Sequence, residues 1–268
     1  MPGNIRMLCT AITDTEKKAI EHNKGLYTSN IEYFPESDAH EMLKALSRQK
    51  HKELPDRVIE AIFSHRREDS QLSVSSPLWL CLAVNMLTAL DADDFEEMSR
   101  LEGRGDQQIE SYITQMVAAF PDLPGDLFLN LIQKAGNVFG EVFTQKVFDL
   151  IACSRNGLRE SDLEKLVPES KKIDWDPLLY AGIRRWFKGH LSEQGDNLQW
   201  NLAHSILRNS LQNRLEKDKF KNIHNAIASH LLTISGSDDL KIFETMFHLM
   251  KAWNAEKARL LYFLLTRG

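Results

Sequence analysis

Few side chains in this sequence have both the type and the setting for chemistry, and the first of them is His204. It follows the run Leu198-Gln199-Trp200-Asn201-Leu202-Ala203 and stands at the head of a helix expected over 203–215. An imidazole there can donate to an anion drawn to the positive end of the helix. The structural alternative is a partly buried histidine that holds the corner between strand and helix. Arg184, Arg185 and Lys188 form a second group, at the end of one expected helix and the start of a hairpin. Cations at that place could meet nucleic-acid phosphates, or could simply favour the negative end of the helix. Asp162, Glu164, Asp174 and Asp176 lie nearby in sequence and dilute that charge. Glu244 and His248 share a helix face, but no further ligand accompanies them, so an i,i+4 contact is expected rather than a metal site.

Other patterns exclude chemistry. No Gly-x-x-x-x-Gly-Lys-Ser/Thr occurs, and Gly136-x-x-x-Gly140 lacks the lysine that would make it a phosphate loop. Asp91-Ala92-Asp93-Asp94 has neither the glycine nor the closing glutamate of a calcium loop. Neither a Gly-x-Ser-x-Gly elbow nor a recognisable Cys and His pattern supports acyl transfer. Cys9, Cys81 and Cys153 are far apart and include no Cys-x-x-Cys pair, which argues against a disulfide framework or a zinc ribbon and for a reducing, cytoplasmic setting.

The 268 residues are 43% apolar and 26% charged with net charge −5, the composition of a globular chain with no overall basic character. The N-terminus has no apolar core of signal-peptide length. The longest apolar run, 77–90, is interrupted by Asn85 and Thr88 and is too short for a bilayer, so no membrane partner is expected.

Positioning these residues calls for a mainly helical chain with a small β component. Ile5 to Thr13 and Thr28 to Phe34 read as strands, too few for a sheet of their own. Ser37 is a candidate cap for a helix over 38–47, and Pro55 starts one over 56–65. Ser76 followed by Pro77 is a hydroxyl cap before a first-turn proline, opening a helix over 78–90 that is apolar on most faces. A further helix runs over 109–120 with Ile109, Ile113, Met116 and Phe120 on one stripe, and Pro121 and Pro124 break it. Helical order resumes over 127–135 and breaks again from Gly136 to Gly140. Then come helices over 142–153, 160–167 and 175–186, the last capped by Asp174, a hairpin of 187–191 with 197–202, and the helix bearing His204. Helix, helix, helix, hairpin, helix is the order of a winged helix. Helices over 220–234, 240–253 and 255–265 close the chain, with Ile223, Ile227, Leu231 and Leu232 inward.

Several of these segments resemble the signal-transduction ATPases with numerous domains, especially NACHT-type and nephrocystin-3-like members. Arg6-Met7-Leu8-Cys9-Thr10 resembles their sensor strand, and Phe34-Pro35-Glu36-Ser37-Asp38-Ala39 the start of their lid. Ser76-Pro77-Leu78-Trp79-Leu80 resembles their Asn-Pro-Leu-Trp-Leu. Arg155-Asn156-Gly157-Leu158-Arg159-Glu160-Ser161-Asp162-Leu163 and Leu198 through Arg208 are similar to the two signatures of their winged helix. The resemblance implies four segments: a C-terminal edge of an α/β nucleotide-binding domain over 1–35, a helical lid over 36–140, a winged helix over 141–215 and a repeat-like helical tail over 216–268. It implies that Thr10, Pro77 and His204 face a nucleotide. With Walker A and Walker B motifs absent, the chain is expected to hold no ATP or ADP alone and not to act as an enzyme by itself. It would instead meet a protein partner carrying the phosphate-loop half. The alternative expectation is a winged-helix regulator that binds DNA through Arg184, Arg185 and Lys188.

Overall fold

Proline sets where helices begin. Pro77, Pro124 and Pro177 occupy first-turn positions, where a missing N–H costs nothing, and Pro35 and Pro55 sit at the cap immediately before a helix. The computed structural model describes residues 17–18, 29, 31, 34–51, 53–90, 92–101, 105–168, 173–195, 198–234, 239–256 and 258–259. The strand expected over 5–13, and with it Cys9 and Thr10, lies outside the described residues, as does most of that expected over 28–34.

From residue 34 onward the chain is mainly helical with one two-stranded sheet, and forms one compact unit. Its elements are α1 (Glu36–Gln49), α2 (Asp56–Ser64), a short 3-10 turn (Ser73–Ser75), α3 (Pro77–Thr88), α4 (Ala92–Ser99), α5 (Asp106–Ala118), α6 (Pro124–Phe139), α7 (Glu141–Cys153), α8 (Glu160–Leu166) and α9 (Pro177–Trp186). They continue with β1 (Leu191–Gln194), β2 (Gln199–Leu202), α10 (Ser205–Asn213), α11 (Lys217–Thr233) and α12 (Asp239–Lys251). Among the described residues no helix is long and apolar enough to cross a membrane.

One apolar core runs without a break from Ala39 on α1 to Leu231 on α11. Its centre is aromatic: Phe128 of α6 meets Phe148 of α7 edge-on at 5.8 Å and Phe187, just after α9, at 5.7 Å, while Phe148 and Phe187 lie 4.6 Å apart. Ser76 caps α3 by accepting from Trp79 N, as its sequence suggests. The Trp79 indole donates to Pro121 O at 2.8 Å. His65 joins the same corner, its Nε2 donating to Phe120 O at 2.8 Å and its Nδ1 accepting from the Ser73 hydroxyl at 2.9 Å.

Several local expectations are overturned. Ser37 caps nothing, because α1 starts at Glu36 behind Pro35 and the Ser37 hydroxyl bonds Asp38 instead. The cap of α9 is Asp176, not Asp174; it accepts from the backbone N–H groups of Leu178 and Leu179. Pro124 opens α6 instead of merely ending its predecessor, and α6 runs on through Gly136. That glycine lets the α6–α7 corner close, since a Cβ there would stand 3.2 Å from Glu141 Cα. Leu232 (41% exposed) faces outward, although its helical stripe placed it inward, and Val142 at the start of α7 is 63% exposed. The hairpin is shifted toward its turn: Phe187 is fully buried in the aromatic centre, Gly189 at φ +98° turns the chain, and pairing begins only at Leu191 with Leu202.

Gly157 anchors a third backbone segment on this hairpin. Leu158 N donates to Trp200 O at 3.1 Å, and Trp200 N to Leu158 O at 2.8 Å. At φ +96°, Gly157 has a conformation that L residues avoid, and a Cβ would approach Trp200 O to 2.4 Å. Gly189 has a similar φ but open space around it. Urea denaturation should therefore separate the two: Gly189→Ala should cost about 1–2 kcal/mol, from backbone strain alone, and Gly157→Ala more than about 3 kcal/mol. Equal losses would show that the approach to Trp200 is not what fixes this glycine.

Candidate functional site

The site is the corner where Asn85 of α3 meets the turn that leads into the hairpin, whose far end runs into the head of α10. Asn85, two turns along α3 from Pro77, donates from its side-chain amide to His190 Nε2 at 2.8 Å. That bond leaves the ring proton on Nδ1 of a neutral imidazole. His190 is 3% exposed, lies edge-on to Phe128 at 5.9 Å, and its Nδ1 has no partner among the described residues. Burial above all, then electrostatic interaction with His204 and Lys50, pulls its pKa down to about 4. Ala203 N donates to His190 O at 2.9 Å, which fixes the corner preceding His204.

His204 occupies the cap position of α10, but its ring makes no cap bond and is exposed, unlike the partly buried corner residue that sequence offered as the alternative. Pro77 is also exposed, at the first position of α3. The cationic trio is divided in its contacts. Arg184 pairs with Glu160 at 3.3 Å and lies over the rings of Tyr180 and Trp200, 5.1 and 5.0 Å from their centres. Arg185 and Lys188 are exposed.

Behind this corner, the helices that follow are fastened by buried polar groups. Arg208 donates to Ala152 O, Ser154 O and Asn201 Oδ1, and Gln212 to Ala152 O at 2.7 Å, so α10 satisfies carbonyls that the end of α7 leaves open. Asp149, 1% exposed, meets Arg214 at 2.7 Å and Lys219 at 2.8 Å. Burial raises the Asp162 carboxyl, but bonds from His230 and Arg159 outweigh it and hold it below the ordinary carboxylate value. His224 and His248 share one proton between Nδ1 atoms 2.7 Å apart. Burial, followed by electrostatic interaction with His248 and Lys251, lowers the His224 pKa to about 3. Glu244 accepts from Asn156 at 2.6 Å and lies 3.7 Å from His248. Among the described residues no three His, Cys, Asp or Glu side chains are placed to share a metal ion. Burial, then the Asp149 charge, pushes the Cys153 thiol up to about 12, and burial also raises Cys81, so both persist as protonated thiols.

Sequence reasoning missed His190, Asn85, Asp149 and Asp162. Asn85 and Asp149 are lone polar residues inside apolar stretches, Asp162 and His190 lie among other polar residues, and for all four only three-dimensional neighbours reveal a partner. No family model, curated protein or solved structure matches the chain.

The buried histidines give the fold a pH dependence. Between pH about 6.5 and 4 the unfolded chain takes up a proton at position 190 that the folded chain refuses. Stability is thus complete above pH 6.5 and falls on acidification by about 1.4 kcal/mol per pH unit for each such histidine. His224 extends the loss toward pH 3. Urea midpoints measured from pH 7 to 4 should show this fall, and His190→Asn should remove about one proton's worth of slope. An unchanged slope would show that His190 is protonated in the fold.

Proposed function

We propose that the chain works by protein contact, as the helical lid, winged helix and first tail helices of a NACHT-like signalling ATPase. In this reading it offers Pro77 and His204 as one side of an ATP or ADP site that a partner's phosphate loop completes. The bond from Asn85 to His190 carries the reading. It ties the helix opened by Pro77 to the hairpin that leads into His204, so the two ends of the proposed surface move as one body. The order α7, α8, α9, β1–β2, α10 supports the winged helix, and the exposed, uncommitted imidazole of His204 supports a contact made to another molecule. Thr10 enters by sequence resemblance alone. An imidazole that touches a bound diphosphate would favour the closed, resting assembly through that contact.

A site without a phosphate-binding nest and its lysine lacks the groups that neutralise phosphate charge, so calorimetry on the isolated chain should find no micromolar binding of ATP or ADP. His204→Ala should shift the isolated chain's stability by less than about 0.5 kcal/mol, because the residue is exposed. In a complex with a phosphate-loop partner the same change should weaken ADP binding. Equal ADP affinities in a complex shown to form would remove His204 from the site. Salt-dependent binding to duplex DNA, lost on reversing Arg185 and Lys188, would instead establish the DNA-binding reading.

A further inference from the structure

A groove of about 730 Å³ opens between α1 and α2, lined by His40, Leu43, Lys44, Arg48, Leu54 and Ile59, with Ser47, His51 and Glu53 at its margin. We propose that this groove receives an acidic, amphipathic helix of a partner protein. It shares no lining residue with the proposed nucleotide surface, and the inference holds whether or not the chain serves an ATPase.

The sequence builds the groove from the spacing of α1. His40, Lys44 and Arg48 recur every four residues, which sets them in a row on one helix face with a rise of about 6 Å per step. His51, just past the helix end, also lines the groove. Leu43, 2% exposed, lies beside the row, and Leu54 and Ile59 complete an apolar floor from the α2 side. The walls are preformed. His40 stacks flat on Phe63 of α2, with ring centres 3.6 Å apart and planes 3° off parallel, which pins the start of α1 to the end of α2. The inner faces of both helices are held by the core through Ala39, Leu43, Val58 and Ile62.

Charge complementarity selects the occupant. Lys44 and Arg48 are exposed, and neither forms an ion pair among the described residues; Glu53 is the single acidic side chain lining the groove. A carboxylate row at four-residue spacing on a partner helix repeats the same 6 Å rise. Apolar residues on its adjoining face would fill the floor between α1 and α2, the helix-in-groove mode of recognition. A phosphate backbone would satisfy the cations but leave Leu54 and Ile59 uncovered, which is why a helix with both an acidic and an apolar stripe fits better.

The test uses the full chain and three fluorescent probes: a helical peptide with Glu at four-residue spacing beside a Leu stripe, the same peptide with each Leu replaced by Gln, and a short duplex DNA. Fluorescence anisotropy should show saturable binding of the first probe. Affinity should drop at least about tenfold on Lys44→Glu combined with Arg48→Glu, which turns two exposed attractions into repulsions. Both residues are exposed, so circular dichroism and urea midpoints should show both proteins equally folded. Ile59→Gln should weaken the same peptide while leaving its salt dependence in place, whereas the charge-reversed protein should bind the peptide no less tightly as salt rises. Absence of binding, binding untouched by charge reversal, or equal binding of the Gln peptide or of DNA would each overturn the proposal. None of these outcomes bears on His204 or ADP, so failure here leaves the nucleotide reading to its own test.

Discussion

Phe128 is the side chain on which most of this arrangement rests. It stands on α6 with no exposed surface and meets Phe148, Phe187 and His190 edge-on, three partners from three other segments. Edge-to-face aromatic contacts add about 0.5–1.5 kcal/mol each beyond the area they bury, so this one ring orients α7, the end of α9 and the approach to the hairpin together. The bond from Asn85 to His190 then ties α3 into the same centre. Truncating such a ring leaves a cavity that close-packed neighbours cannot fill, and the hairpin would lose its bearing on α3 along with the packing.

The outer layers depend on a different force. Asp94, Asp149 and Asp162 are buried carboxylates, and each is met by a partner from distant sequence: Lys134 on Asp94 at 2.5 Å, Arg214 and Lys219 on Asp149, and His230 on Asp162, which the neighbouring Arg159 also grips. Pairing of this kind adds little net stability over an apolar substitute but is costly to break from one side, because the remaining charge is stranded. The effect is positional. α11 is fixed in register against α7 through Lys219 and against α8 through His230, which a sliding apolar seam would not achieve.

This division bears on function. Arg184, which sequence grouped with Arg185 and Lys188, is spent on Glu160, Tyr180 and Trp200 and helps hold α9 to the hairpin. Among the polar groups left facing solvent near structured corners are His204 and the Lys44–Arg48 row. They stand on frames set by the core, so contacts made there would meet preformed surfaces with little ordering cost.

Helix content was legible in the sequence because its signals are local. Proline at a first turn, a serine before it at Ser76, and the apolar periodicity of α3, α6, α7 and α11 need no partner to act. The order of three helices, a hairpin and a helix was legible for the same reason. Boundaries were less so: Ser37 and Asp174 are sound caps by type, but neighbouring prolines moved the helix starts to Glu36 and Pro177. Sequence alone determined where helices could form and that His204 would stand at the head of one. Tertiary structure decided which side chains are consumed and which remain free, because that depends on partners far apart in the chain. Asn85 and His190 are 105 residues apart, and Asp162 and His230 are 68 apart. A local pattern cannot report a desolvated pair whose members meet only after the helices have packed.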